Sequence, residues 1–142
     1  MLHSEKELAA LLGEVKTIAV IGAKDKPGQP VDMVGRYLIG AGYRVIPVHP
    51  ARTEVWGLPT YKSILDIPEP VDLVDVFRAP EHCAAHAEEL LQLATRPRCF
   101  WMQTGIFSAA ARQLLAGSGV TVIEDRCLMV DHRRLLGGPG HE

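Results

Sequence analysis

Basic side chains recur in this sequence at points where an apolar run gives way to a turn and a helix start. The run Gly22-Ala23-Lys24-Asp25-Lys26-Pro27-Gly28 follows the apolar stretch TIAVI and leads into a helical pattern beginning at Pro30. Gly22 allows a tight turn and close approach of a ligand. The helix start offers free backbone N–H groups to an anion, and the two lysines add positive charge. Phe77-Arg78-Ala79-Pro80 repeats the arrangement after VDLVDV, with an arginine whose planar fork suits bidentate phosphate contact. Val48-His49-Pro50-Ala51-Arg52 ends another apolar run with a base, and Met102-Gln103-Thr104 ends a fourth with an amide and a hydroxyl. Such neutral groups orient a ligand rather than exchange protons with it. The competing reading of each cation is a solvated loop or a surface salt bridge.

The chemistry these residues suggest is phosphate binding, and the known phosphate motifs narrow it. No G-K-[ST] is present, so the first loop is not a Walker A motif, and G-x-G-x-x-G is missing from it as well. An NAD site wants an acid near the end of the second strand, whereas Arg52 follows it here. A base at that point suits a phosphorylated ribose, as in NADP, or the 3′-phosphate of coenzyme A. Other tempting groups carry less. His82 and His86 stand i, i+4 on a helix without the intervening glutamate of a zinc-protease motif, and a solvated face accounts for them. His49 has no partnered nucleophile in a recognisable motif, and Gly-x-Ser-x-Gly is absent. Cys127, after Glu124-Asp125-Arg126, reads as a buried packing cysteine at a strand end.

Alternating strands and helices must position these loops. Short runs at 17–23, 43–48, 71–77, 98–103 and 120–124 read as strands, the first of them apolar, rich in β-branched residues and buried on both faces as parallel sheets require. Helical patterns fall between them at Pro30–Ala41, Glu81–Ala94 and Ser108–Ala116. Ser4 with Glu7 forms a capping box for a first helix that Gly13 ends. The stretch 51–70 reads as a proline-rich loop with one short helix near Ser63–Asp66. The pattern predicts an α/β chain with a Rossmann-like, doubly wound, mainly parallel sheet of about five strands and helices on both faces. Ligands of such sheets bind at the carboxyl ends of the strands, where strand order reverses. The expected organisation is one domain over 1–136 and a disordered tail over 137–142.

Composition sets the outer limits. Hydrophobic residues are 47% and charged residues 23% of 142, and the net charge of −2 gives no field to recruit nucleic acid or an anionic membrane. Any anion site must be built locally. Three separated cysteines without a C-x-x-C pair argue against a zinc ribbon or disulfide framework and for a reducing compartment. The acidic, amphipathic N-terminus lacks the features of a signal peptide, and the expected location is the cytoplasm.

The segments IAVIGAKDKPGQPVDMVGRYL, YRVIPVHPARTEVWGLPTYKSI, VDLVDVFRAPEHC, WMQTGIF and EDRC, in this order, resemble the stand-alone CoA-binding proteins. These are similar to the N-terminal CoA-binding domain of the succinyl-CoA synthetase α-subunit, and the likeness spans roughly Val15 to Cys127. It implies that Gly22, Ala23, Lys24, Asp25, Lys26 and Pro27 hold the CoA phosphates. Val48, His49, Pro50 and Arg52 would contact the adenosine end, Arg52 standing where the synthetase domain carries a CoA-binding lysine. Phe77, Arg78 and Pro80 would line the crevice, with Met102, Gln103 and Thr104 approaching the pantetheine arm. Leu128 departs from the proline that many relatives have after the cysteine. No counterpart of the ligase domain or its phosphorylated histidine is found, so the expectation is binding of CoA or an acyl-CoA without catalysis. The alternatives are an NADP-dependent reductase, an acyl-CoA-processing enzyme using Cys127 or His49, or a CoA-binding subunit of a larger complex.

Overall fold

The capping box expected at Ser4 starts helix α1 (Glu5–Glu14): Ser4 Oγ accepts from the Glu7 N–H, and the Glu7 carboxylate accepts from the Ser4 N–H at 2.9 Å. The structure is a computed structural model that describes residues 3–137. After α1 the order is β1 (Thr17–Ile21), α2 (Pro30–Gly40), β2 (Arg44–Val48), β3 (Glu54–Val55), β4 (Leu58–Pro59) and a 3₁₀ turn (Ile64–Asp66). Then follow β5 (Leu73–Val76), α3 (Pro80–Leu91), β6 (Cys99–Met102), α4 (Ala109–Leu115), β7 (Thr121–Ile123) and α5 (Leu128–Leu136). Gly137, the first residue of the expected tail, is the left-handed cap of α5, and 138–142 lie outside the described residues. No helix among the described residues is long and apolar enough to cross a membrane.

Five parallel strands form the main sheet in the order β2-β1-β5-β6-β7. Alternate side chains feed two cores, as the period of a strand dictates. Ala19, Ile21, Val74, Val76, Phe100 and Met102 face α3 and α4. Ile18, Val20, Leu73, Cys99 and Trp101 face α1, α2 and α5. The expected doubly wound Rossmann-like sheet with helices on both faces is therefore present. Connection β1–α2–β2 runs outward one way, and the chain then returns to place β5 on the other side of β1. The reversal of strand order lies between β1 and β5.

Two elements depart from the expectation. The stretch 51–70 contains a β-hairpin, β3–β4, whose two-residue turn has Trp56 at φ 56° and Gly57 at φ 73°. Trp56 is held there by its indole N–H, which donates to Asp32 Oδ1 at 2.9 Å, and by packing of its ring on Gly35 of α2. Helix α5 escapes an apolar template because two of its three buried residues, Asp131 and His132, are polar. Arg126 and Arg134 satisfy the Asp131 carboxylate, and His132 Nδ1 shares a 2.7 Å hydrogen bond with the Tyr37 hydroxyl.

Asp75 lies near the middle of the sheet, facing α1, α2 and α5 between Val20 of β1 and Trp101 of β6. It is fully buried, and neither carboxylate oxygen has a hydrogen-bond partner among the described residues. Burial holds its carboxyl well above the usual carboxylate range, so the folded chain keeps a proton that the unfolded chain releases above about pH 4. The contribution of the neutral acid is fully present below that pH and is lost as pH rises toward its folded pKa. Asp75→Asn carries no such proton. It is predicted to gain stability over the wild type as pH rises from 4 to 8, by up to about 1.4 kcal/mol per pH unit while the acid stays protonated. Denaturant melts of both proteins across that range check this, and parallel curves would contradict it.

Candidate functional site

Three strand ends are tied together at the reversal point. The N–H groups of Gly22 and Ala23 donate to the Val48 carbonyl at 2.9 and 3.2 Å, and the Phe77 N–H donates to the Ile21 carbonyl at 2.9 Å. Gly22 has φ +85°, and a Cβ there would lie 2.2 Å from the Phe77 carbonyl oxygen and 3.4 Å from Arg78 Cδ. The backbone must therefore turn here without a side chain, and Arg78 runs alongside it.

Above this knot opens a cleft of about 630 Å³, within the size range of small-molecule sites. Gly22, Lys24, His49, Pro50, Phe77 and Arg78 line it, as do residues from the first turns of α2 and α3. Both helices begin with proline, and neither N-cap residue, Gln29 or Ala79, offers its side chain to the helix. The two helix starts come from opposite faces of the sheet and present positive dipole ends with no side-chain acceptor.

Arg78 is the only arginine among the described residues without an ion pair, hydrogen bond or ring contact. Seven others are ion-paired, Arg96 donates to the Ser118 carbonyl, and Arg133 lies over the Tyr37 ring. Lys24 likewise has no ion pair among the described residues. A surface salt bridge therefore does not account for Arg78. By contrast, the arginines beside a larger groove of about 980 Å³ along β7 are neutralised: Arg112 pairs with Glu124 and Arg126 with Asp131.

His49 Nδ1 accepts from the N–H groups of Ala51 and Arg52 at 3.0 and 3.2 Å. With that lone pair engaged, the ring proton of the neutral imidazole sits on Nε2. Burial, then the charges of Arg52, Lys24 and Arg78, holds the ring's pKa below its usual value. His49 is a neutral hydrogen-bond donor on the cleft wall, not a base.

The remaining expected residues separate into distinct surroundings. Asp25 and Arg52 pair with each other, Arg52 Nη1 donating to Asp25 Oδ1 at 3.2 Å, and neither lines the cleft. Lys26 and Pro27 are exposed on the loop outside the lining, while Ala23 and Val48 are buried beneath it. Pro80 opens α3 next to the lining residue Ala79. Met102 does not reach the cleft because its side chain fills the core against α3 and α4, fully buried. Gln103 is also taken out of it: its Oε1 accepts from the Leu128 N–H at 3.1 Å and anchors the start of α5. Thr104 is exposed and outside the lining. Ile106 is what that loop contributes, joined by Gln29, Val31 and His82, none of which the sequence reading assigned to the site. The start of α2 at Pro30 was a visible signal for Gln29 and Val31, whereas nothing local distinguishes Ile106. His82 and His86, expected together on a solvated face, divide: His82 lines the cleft and His86 pairs with Glu89. Cys127 is the half-buried N-cap of α5 and is absent from the cleft lining.

A family model described as CoA binding domain matches residues 16–133, from just before β1 into α5. The chain belongs to the CoA binding domain family. An uncharacterised Bacillus subtilis member, YneT, is 39% identical over 129 residues, which are 91% of this chain and 94% of that one. The solved structure of cell-free ID.343 from Thermus thermophilus is 44% identical, with a TM-score of 0.87 over 94% of this chain and 99% of that chain. A larger protein, the ADP-forming acetate–CoA ligase I of Archaeoglobus fulgidus, is 40% identical over 58 residues. Those residues are 41% of this chain and 8% of the ligase.

Gly22 and Gly28 separate conformational strain from lack of space in this CoA binding domain. Both have positive φ, but a Cβ on Gly28 meets nothing within 4 Å. Gly28→Ala is predicted to cost about 1 kcal/mol. Gly22→Ala should cost roughly 2–4 kcal/mol, because the clash with the Phe77 carbonyl adds to the strain. Urea unfolding of the two variants tests this, and equal losses would show that the strand ends relax freely.

Proposed function

We propose that this chain binds coenzyme A, free or acylated, in the cleft at the ends of β1 and β5, and catalyses no reaction itself. The observation that carries the reading is Arg78, unpaired among the described residues in a cleft that also holds Lys24 and two uncapped helix starts. A phosphate-bearing ligand completes all four. Family membership supports CoA among such ligands, as does the likeness of 58 residues to a protein named as a CoA ligase.

An enzymatic role is less well supported. His49 has its Nδ1 lone pair engaged, and Cys127 lies away from the cleft lining. The NADP reading has neither the G-x-G-x-x-G fingerprint in the β1–α2 loop nor the family match that supports CoA. A subunit role in a larger assembly is the second reading, favoured by the small share of the acetate–CoA ligase that the likeness covers. It predicts the same CoA site with a protein partner added.

Calorimetry with the full chain checks the proposal. CoA should bind more tightly than NAD or NADP, and its affinity should fall as salt rises. Arg78→Ala should weaken CoA binding by about 1.5–3 kcal/mol, roughly ten- to a hundredfold, with little change in melting temperature. Equal or tighter binding of NAD, or an Arg78→Ala variant that melts early yet binds normally, would overturn the assignment.

A further inference from the structure

We propose that Asp25 tempers the affinity for CoA: it masks Arg52 until a ligand brings a phosphomonoester to that side of the cleft. The inference rests on the CoA reading of the cleft and deepens it. Asp25 lies on the β1–α2 loop between Lys24 and Lys26, while Arg52 lies on the loop after β2. Their ion pair therefore bridges the two loops on this side of the site. The Arg52 backbone N–H is fixed by His49 Nδ1, so the residue is anchored three positions from a cleft-lining ring while its side chain turns to Asp25. Its charge depresses His49 more strongly than do Lys24 and Arg78, both of which line the cleft. Arg52 is thus electrostatically close to the site although its guanidinium is engaged elsewhere.

The pair is well suited to exchange. Both side chains are about one-third exposed, 30% for Arg52 and 36% for Asp25, and one 3.2 Å contact joins them. Ion pairs of this kind are weak in water. A phosphomonoester carries up to two charges and three acceptor oxygens, and an arginine fork can hold it bidentately. Such a group outcompetes the carboxylate. A ligand whose only phosphates are the two of a diphosphate held near Lys24 and Arg78 has nothing to exchange for Asp25. The cleft lining contains no carboxylate among the described residues, and Asp25 is the acid that holds Arg52. The consequence falls on one class of ligand: the third phosphate of CoA engages Arg52 only by displacing Asp25, so Asp25 narrows the preference for CoA over a ligand that lacks that phosphate.

The experiment measures binding of CoA and of dephospho-CoA, which lacks the 3′-phosphate, by calorimetry. The proteins are the wild type, Asp25→Asn, Arg52→Gln and the double variant, each first shown to melt cooperatively. Asp25→Asn should bind CoA roughly fivefold more tightly, the worth of one exposed ion pair that no longer has to be broken. Its affinity for dephospho-CoA should stay within about twofold. Arg52→Gln should narrow the gap between the two ligands, and adding Asp25→Asn to it should restore no gain specific to CoA. A gain of equal size for both ligands would overturn the proposal, since it would reflect only removal of a negative charge near the cleft. Unchanged or weaker CoA binding by Asp25→Asn would also overturn it. Neither result touches the CoA reading, which fails instead if the wild type binds neither ligand.

Discussion

The site depends on one steric constraint: the end of β1 must pass beneath the Phe77 carbonyl with no side chain of its own. Gly22 meets it with a left-handed backbone, and the Val48 carbonyl then takes two consecutive N–H groups. Those contacts hold β2, β1 and β5 in register at their carboxyl ends. Because α2 and α3 leave from that register on opposite faces, their first turns converge on one cleft. The geometry follows from the sheet's reversal between β1 and β5 and needs no special loop motif.

Charge is distributed with the same economy. Among the described residues, a chain of net charge −2 ion-pairs seven arginines, engages Arg96 and Arg133 in other contacts, and leaves Arg78 open where two helix dipoles meet. Paired cations elsewhere, including those beside the β7 groove, hold helices and loops together. His49 joins the two roles. Its Nδ1 orders the loop that carries Arg52, and its neutral ring stands on the cleft wall without adding charge.

Much of this was legible in the residues. The five short strand-like runs, the capping box at Ser4 and the prolines opening α2 and α3 are local signals, and each produced an element near its expected bounds. Gly22, Lys24 and Arg78 were legible because strand ends and helix starts are local as well. What escaped is what tertiary partners decide. Asp131 and His132 look like solvent-facing residues until Arg126, Arg134 and Tyr37 engage them, so the inward face of α5 mixes these polar groups with Leu128, Met129 and Leu135. Trp56 adopts a turn conformation that glycine or asparagine normally takes, because Asp32 and Gly35 hold its ring. Gln103 was expected in the cleft as a polar group at a strand end, yet the uncapped N-terminus of α5 claims it. Asp75 sits within an otherwise apolar strand, and no local pattern shows that its carboxyl is left without a partner.

The most direct test of the central claim is a two-dimensional ¹H–¹⁵N NMR titration of the full chain with CoA. The amide shifts predicted to move first belong to Gly22, Lys24, Val31, Arg78 and His82, where two loops and two helix starts surround the cleft. Shifts confined to the groove along β7, at Phe107, Leu115 and Val122, would contradict the account, because the ligand would then have chosen the surface whose arginines are already paired.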